Sequence, residues 1–262
     1  MKVHVQMKVC ILGDLHLVSP SDPDLERHAR RQHFTEGRSC LPAMRRALQR
    51  ESPDLILSLG DLVDWYSDEN RDFALDFMHS LNIPWCMTPG NHDAETSGAG
   101  GSPGGLNGWV AAGVPVHNRK ISLDHLEGFL INSHNSAVPP ETADWLQTEL
   151  DPSAVNAVFT HVPPDTPETR AAIHAREPHR NLTKYVQSHA PGLFEDALSG
   201  NVDAVWSGHL HFQTSAQKGR THFQILSIAI HAYGKAYPEQ GMLHILDTQT
   251  MTVRSRVYDP EG

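Results

Sequence analysis

At 262 residues the chain can bury a sizeable core and sits near the upper end for one domain, so a single domain over 1–262 is expected. Its 21 Lys and Arg against 31 Asp and Glu give a net charge of −10, which disfavours nucleic acid as a partner because such a footprint needs clustered positive charge. No apolar run is long enough to span a bilayer, the start of the chain lacks the pattern of a signal peptide, and Cys10, Cys40 and Cys86 form no Cys-x-x-Cys pair; the expectation is a cytoplasmic protein with no membrane contact and no structural zinc cluster.

In chain order, Val9-Cys10-Ile11-Leu12 reads as a short buried strand ending in Gly13-Asp14. Residues 41–50 have helical spacing through Leu41, Met44, Ala47 and Leu48. A second strand, Leu55-Ile56-Leu57-Ser58-Leu59, ends in Gly60-Asp61. A helix over 73–81 (Phe73, Phe77, Leu81) leads to a third strand over 83–87 that ends near Gly90-Asn91. This strand–helix–strand rhythm signals an α/β fold.

Residues 94–108 interrupt the rhythm. The glycine-rich run within them is either a solvated linker or a flap, since it directly follows His92; no Gly-Lys-Ser/Thr makes it a nucleotide P-loop. Beyond it, strands are expected over 120–123, 129–132, 154–159, 202–206, 221–228, 241–247 and 252–258. A helix is expected over 141–150. Residues 163–200 form a long excursion of mixed helix and loop, including 181–189 and 192–198.

The polar residues at the strand tips carry the chemistry, as open α/β sheets place ligands there. Asp14 and His16 are two apart, and extended backbone would put both on one side; His209 and His211 repeat the spacing. Asp61 at a strand tip could bridge two cations with one oxygen on each. Asp64 is either a solvated turn residue or the group that orients a histidine. In Gly90-Asn91-His92-Asp93, Asn91 offers a neutral carbonyl oxygen to a cation, and His92 could protonate a leaving group. Asp93 is left as either a supporting carboxylate or a plain loop acid. His161 gains its meaning from this company.

The ordered series Asp14-x-His16, Gly60-Asp61-x-x-Asp64, Gly90-Asn91-His92-Asp93, His161 and Gly208-His209-x-His211 resembles the calcineurin-like metallophosphoesterase superfamily. The resemblance implies a four-layer αββα sandwich of two mixed β-sheets flanked by helices. It implies that Asp14, His16, Asp61 and His211 surround one metal and Asp61, Asn91, His161 and His209 the other, with His92 as the acid beyond the ligands and Asp64 assisting it. Trp65-Tyr66 follow Asp64 where the protein phosphatases carry Arg-Gly, so a phosphate-gripping arginine is expected to be absent. The Asp64 and His16 positions also depart from the purple acid phosphatases.

The remaining pattern is similar to the compact class III cyclic-nucleotide phosphodiesterases, with Thr160-His161-Val162-Pro163-Pro164 where those often read His-His-Pro-Pro. The expected function is hydrolysis of a small phosphate ester, chiefly a phosphodiester, on two metal ions: Mn or Fe, with Zn as a further option. A phosphomonoesterase and a metal-poor binding scaffold are the alternatives.

Overall fold

Val9 and Ile11 point to one side of their strand and Cys10 and Leu12 to the other, and this alternation sends the first strand into two separate cores. The computed structural model describes residues 7–95, 105–189, 197–198, 200–235 and 237–261. One sheet holds β1 (Lys8–Leu12), β2 (Leu55–Ser58), β3 (Trp85–Met87), β10 (Met242–Asp247) and β11 (Thr252–Val257), in the order β11-β10-β1-β2-β3. Its first three strands are parallel and its last two antiparallel to their neighbours. The second sheet holds β4 (Arg119–Leu123), β5 (Leu126–Ile131), β6 (Val155–Thr160), β7 (Ala204–Ser207), β8 (Thr214–Lys218) and β9 (Thr221–Ile225), in the order β4-β5-β6-β7-β9-β8. Strands β5, β6, β7 and β9 run parallel, with an antiparallel strand at each edge.

The sheets face each other across Val9, Ile11, Leu57 and Leu59 on one side and Leu130, Ala157, Phe159 and Trp206 on the other. The Phe159 and Trp206 rings stack at 5.1 Å. The outer face of the first sheet packs on α3 (Leu41–Glu51) and α4 (Asp68–Ser80); that of the second packs on α7 (Pro140–Glu149) and, further along, α8 (Pro167–Arg176). The layers are therefore helix, sheet, sheet, helix, and burying each large apolar side chain between them stabilises the fold by about 2 kcal/mol.

Several elements differ from the sequence expectations. Helix α4 begins a turn early because Ser67 caps it, its side chain accepting from Asn70 N–H, and Asp68 and Glu69 favour the N-terminal dipole. Strand β3 is shorter because Pro84 has no N–H for the ladder, although its carbonyl still accepts from Ile56 N–H. Short helices α1 (Leu25–Arg30) and α2 (Gln32–Thr35) are unanticipated: α1 buries no side chain, so it leaves no apolar period to read. Edge strand β8 is a further addition; it turns back onto β9 through Gly219. Of the 192–198 part of the expected helix-and-loop excursion, only Ala197 and Leu198 are among the described residues. Of the glycine-rich run only Gly105 is, and it opens α6 (Gly105–Ala111), which follows the single turn α5 (Asn91–Ala94).

Candidate metal centre

The tips of β1, β2, β3, β6 and β7 converge, bringing together the side chains of Asp14, His16, Asp61, Asn91, His161, His209 and His211. They do not converge through extended backbone, as the two-residue spacing suggested. Asp14 (φ 46°), His16 (44°), Asp61 (49°), His209 (73°) and His211 (60°) all lie in the left-handed region. Such a conformation costs a non-glycine residue about 1–2 kcal/mol. The intervening Leu15 and Leu210 are buried in the cores, and their anchoring helps hold these turns. Gly60 and Gly90 let two loops meet: a Cβ on Gly60 would stand 2.4 Å from Gly90 N, and one on Gly90 2.1 Å from Asp61 Oδ1.

Two clusters result. In the first, His16 Nε2 lies 3.0 Å from His211 Nε2, and His211 Nε2 lies 3.5 Å from Asp14 Oδ1. In the second, His161 Nε2 lies 3.1 Å from both Asn91 Oδ1 and His209 Nδ1. Asp61 stands between them, its Oδ2 3.8 Å from His16 Nε2 and 3.3 Å from His161 Nε2. Its other oxygen accepts the main-chain N–H of His92 at 2.9 Å, so one oxygen, rather than one on each side, faces both clusters.

The far ring nitrogens fix the tautomers. His161 Nδ1–H donates to Leu59 O at 2.8 Å, and His209 Nε2–H to Lys184 O at 3.2 Å. The lone pairs of His161 Nε2 and His209 Nδ1 then point at each other beside the Asn91 carbonyl oxygen, an all-acceptor arrangement that needs a cation or a proton between its members. This donor set, mixed oxygen and imidazole nitrogen at about 3 Å separations, fits a divalent metal ion.

Charge follows from the same packing. Burial would lower His161, but the Asp61 carboxylate overrides it and raises the imidazole to about 9. Burial lowers His16 to about 4; burial and then His161 lower His209 to about 4. Asp61 is held well below the usual carboxylate range: burial opposes this, and His161 and His92 outweigh it. Asp93, raised to about 7 by burial and by Asp61, accepts from Leu62 N–H, Val63 N–H and Gly90 N–H. It is therefore a fully buried tie between the Asp61 and Asn91 loops.

Asp64 is also fully buried. Its Oδ1 lies 2.9 Å from His16 Nδ1, and Arg31 grips both its oxygens, Nε reaching Oδ2 at 2.7 Å. The carboxylate thus faces His16 and Arg31, whereas His92 Nδ1–H donates to the Asp64 main-chain carbonyl at 2.7 Å. Phe34 stacks on the His16 ring at 4.1 Å.

A cavity of about 390 Å³ opens over both clusters, with His92 in its wall. Sequence reasoning foresaw no cation here, yet Arg31, Arg180 and Lys184 line it together with Tyr185 and Tyr237. Trp65 and Tyr66, which take the expected place of the arginine, are buried, Trp65 Nε1–H donating to Asp22. The cations arrive instead from the α1–α2 junction and from the segment after α8, neither of which carries an apolar pattern that places it.

Among the described residues no helix is long and apolar enough to cross a membrane. The chain is 22% identical over 236 residues to a 3',5'-cyclic-nucleotide phosphodiesterase of Nostoc sp., covering 85% of this chain and 78% of the relative. It superposes on a dimetal phosphatase from Danio rerio with a TM-score of 0.60 at 11% identity, and on a protein of Thermus thermophilus with 0.56 at 12%. Each superposition covers 97% of this chain and 99% of the other, a likeness of fold. The sequence profile of the calcineurin-like phosphoesterases matches residues 7–213, a span that contains every strand tip described above. The chain therefore belongs to the calcineurin-like phosphoesterase family and is a hydrolase of phosphoric esters.

Proposed function

We propose that the protein hydrolyses a small phosphodiester, such as a cyclic nucleotide, on a dinuclear metal centre. The observation that carries this reading is the position of Asp61 Oδ2 between the two clusters, within 3.8 Å of His16 Nε2 and 3.3 Å of His161 Nε2. Asp14, His16 and His211 would hold one ion, Asn91, His161 and His209 the other, and Asp61 both. Mn or Fe suits these ligands, with Zn as a further option. Such ions supply an activated water and neutralise phosphoryl oxygens.

The remaining work falls to protein groups. His92, with its Nδ1–H committed to the Asp64 carbonyl, presents Nε2 as the site that carries a proton to the leaving oxygen. Asp64 positions His16 through its carboxylate and His92 through its main chain. The diester is supported by the name of the Nostoc relative and by a leaving alkoxide's need for that proton. A single domain over 1–262 and a cytoplasmic location belong to this reading, the latter resting on three free cysteines.

A second reading, a phosphomonoesterase, is favoured by Arg31, Arg180 and Lys184, which could neutralise a dianion. The experiment compares kcat/KM for bis(p-nitrophenyl) phosphate and p-nitrophenyl phosphate on protein loaded with Mn²⁺. A preference for the monoester beyond about tenfold would replace the diester reading with the second one. No turnover of either ester with any divalent metal would overturn both.

A further inference from the structure

Arg180 is the most prepared cation on the cavity wall, and nothing in the proposed hydrolysis uses it. Its side chain is 18% exposed. The guanidinium lies 4.3 Å above the Tyr185 ring and 5.5 Å from that of Phe212, and its Nε–H is tied to Glu177. Its terminal nitrogens have no partner among the described residues. A fork fixed in this way loses little conformational freedom on meeting an anion.

Its neighbours tell which anion. Arg180 packs on Tyr185, and Tyr185 in turn meets the His209 ring at 5.4 Å, so the guanidinium stands one ring removed from the metal-ligand cluster. Lys184 lines the same wall, its backbone anchored by the carbonyl that accepts from His209. Arg31, by contrast, is committed to Asp64. In a chain of net charge −10, Lys184, whose ammonium has no partner among the described residues, and Arg180, paired with Glu177 through Nε alone, place two cations on one wall of the cavity.

We propose that Arg180, with Lys184 beside it, forms a subsite for a second anionic group carried by the ester at a distance from its scissile phosphorus. This deepens the phosphodiesterase reading and rests on it. The natural substrate then bears a phosphate or carboxylate besides the bond that is cut, a group that a simple 3',5'-cyclic mononucleotide lacks, so the subsite narrows the diester to one with a second anion, which Arg180 selects through a bidentate contact.

The test uses p-nitrophenyl thymidine 5'-phosphate with and without a 3'-phosphate, two diesters with the same leaving group. The Mn²⁺-loaded protein should show a KM lower by about tenfold or more for the 3'-phosphorylated ester. Arg180→Gln should shrink that advantage to under about threefold, and Arg180→Lys should leave an intermediate value, since charge remains without the fork. Equal KM values in the unaltered protein, an advantage that survives Arg180→Gln, or an equal loss on both esters would overturn the proposal. Equilibrium dialysis of metal-free protein against thymidine 3',5'-bisphosphate and thymidine 5'-phosphate gives a readout independent of turnover. If neither ester is hydrolysed the phosphodiesterase reading falls, while tighter binding of the bisphosphate, lost in Arg180→Gln, still upholds the subsite; equal binding of the two rejects it.

Discussion

Arg31 holds both carboxylate oxygens of Asp64, and through that grip it controls a histidine it does not touch: Asp64 Oδ1 lies 2.9 Å from His16 Nδ1. Burial alone would raise Asp64, but Arg31 and His16 keep it ionised far below the usual carboxylate range. Removing Arg31 leaves a buried charge without its main partner, a change that costs about 3–5 kcal/mol in fully buried pairs and less here because Arg31 reaches solvent. Arg31→Ala should lower the melting temperature and weaken the ion nearest His16 by about 10- to 100-fold. Competition with a metal chelator checks this; unchanged affinity would separate Arg31 from the metal centre.

The shared oxygen of Asp61 predicts an asymmetry among ligand variants. Asp61→Ala should weaken both ions, whereas His16→Ala should chiefly weaken one. Elemental analysis after dialysis distinguishes the two, and two tightly held ions in Asp61→Ala would refute the bridging role.

His92 packs beside His16, the rings 4.9 Å apart, but its Nδ1–H is turned to the Asp64 carbonyl, so His92→Ala should retain its metals and lose rate by about 10² or more. The loss should grow as the leaving group becomes more basic. Because the nearer Asp64 contact to His92 is the main-chain carbonyl at 2.7 Å, with the carboxylate 4.0 Å away and closer to His16, Asp64→Asn should show its effect chiefly in metal affinity rather than in this leaving-group dependence. A matching leaving-group slope in Asp64→Asn would show that the carboxylate acts on His92 after all.

His161 gives the pH dependence. In the metal-free protein its imidazole is raised to about 9 from the ordinary 6.5, so the His161–Asp61 pair contributes stability fully below about 6.5. That contribution is lost as pH rises through about 9. The melting temperature of metal-free protein should fall across this window, and a cation that takes the lone pair at about pH 7.5 must displace about one proton. Calorimetric titration in buffers of different ionisation enthalpy reads that proton directly; metal uptake without proton release would contradict the assignment.

The convergence of the candidate ligand blocks was legible because each ends a short apolar run, and strand tips in parallel sheets are where polar residues meet. The two facing sheets came from the family resemblance rather than from the apolar pattern, which indicated only an α/β rhythm. Two things stayed hidden for physical reasons. Backbone direction at Asp14 and His209 depends on left-handed turns that spacing cannot reveal. The cations came from segments without a buried stripe: α1 buries nothing, and Arg180 lies between the end of α8 and one short turn at Leu182–Lys184. Asp24, whose side chain caps α1 by accepting from Arg27 N–H, was a cue that could have flagged the helix leading to Arg31.

Leu15 separates Asp14 from His16, and Leu210 separates His209 from His211; both leucines are buried to within 1% of full enclosure. Each pair of candidate ligands is therefore threaded through a hydrophobic anchor, and under the proposed dinuclear reading metal affinity would become a reporter of core packing. Trimming Leu210 to alanine would leave every ligand atom in the chain yet free two imidazoles at once to drift. Tuning this centre by mutation thus means working from the inside of the sandwich as much as from the cavity wall.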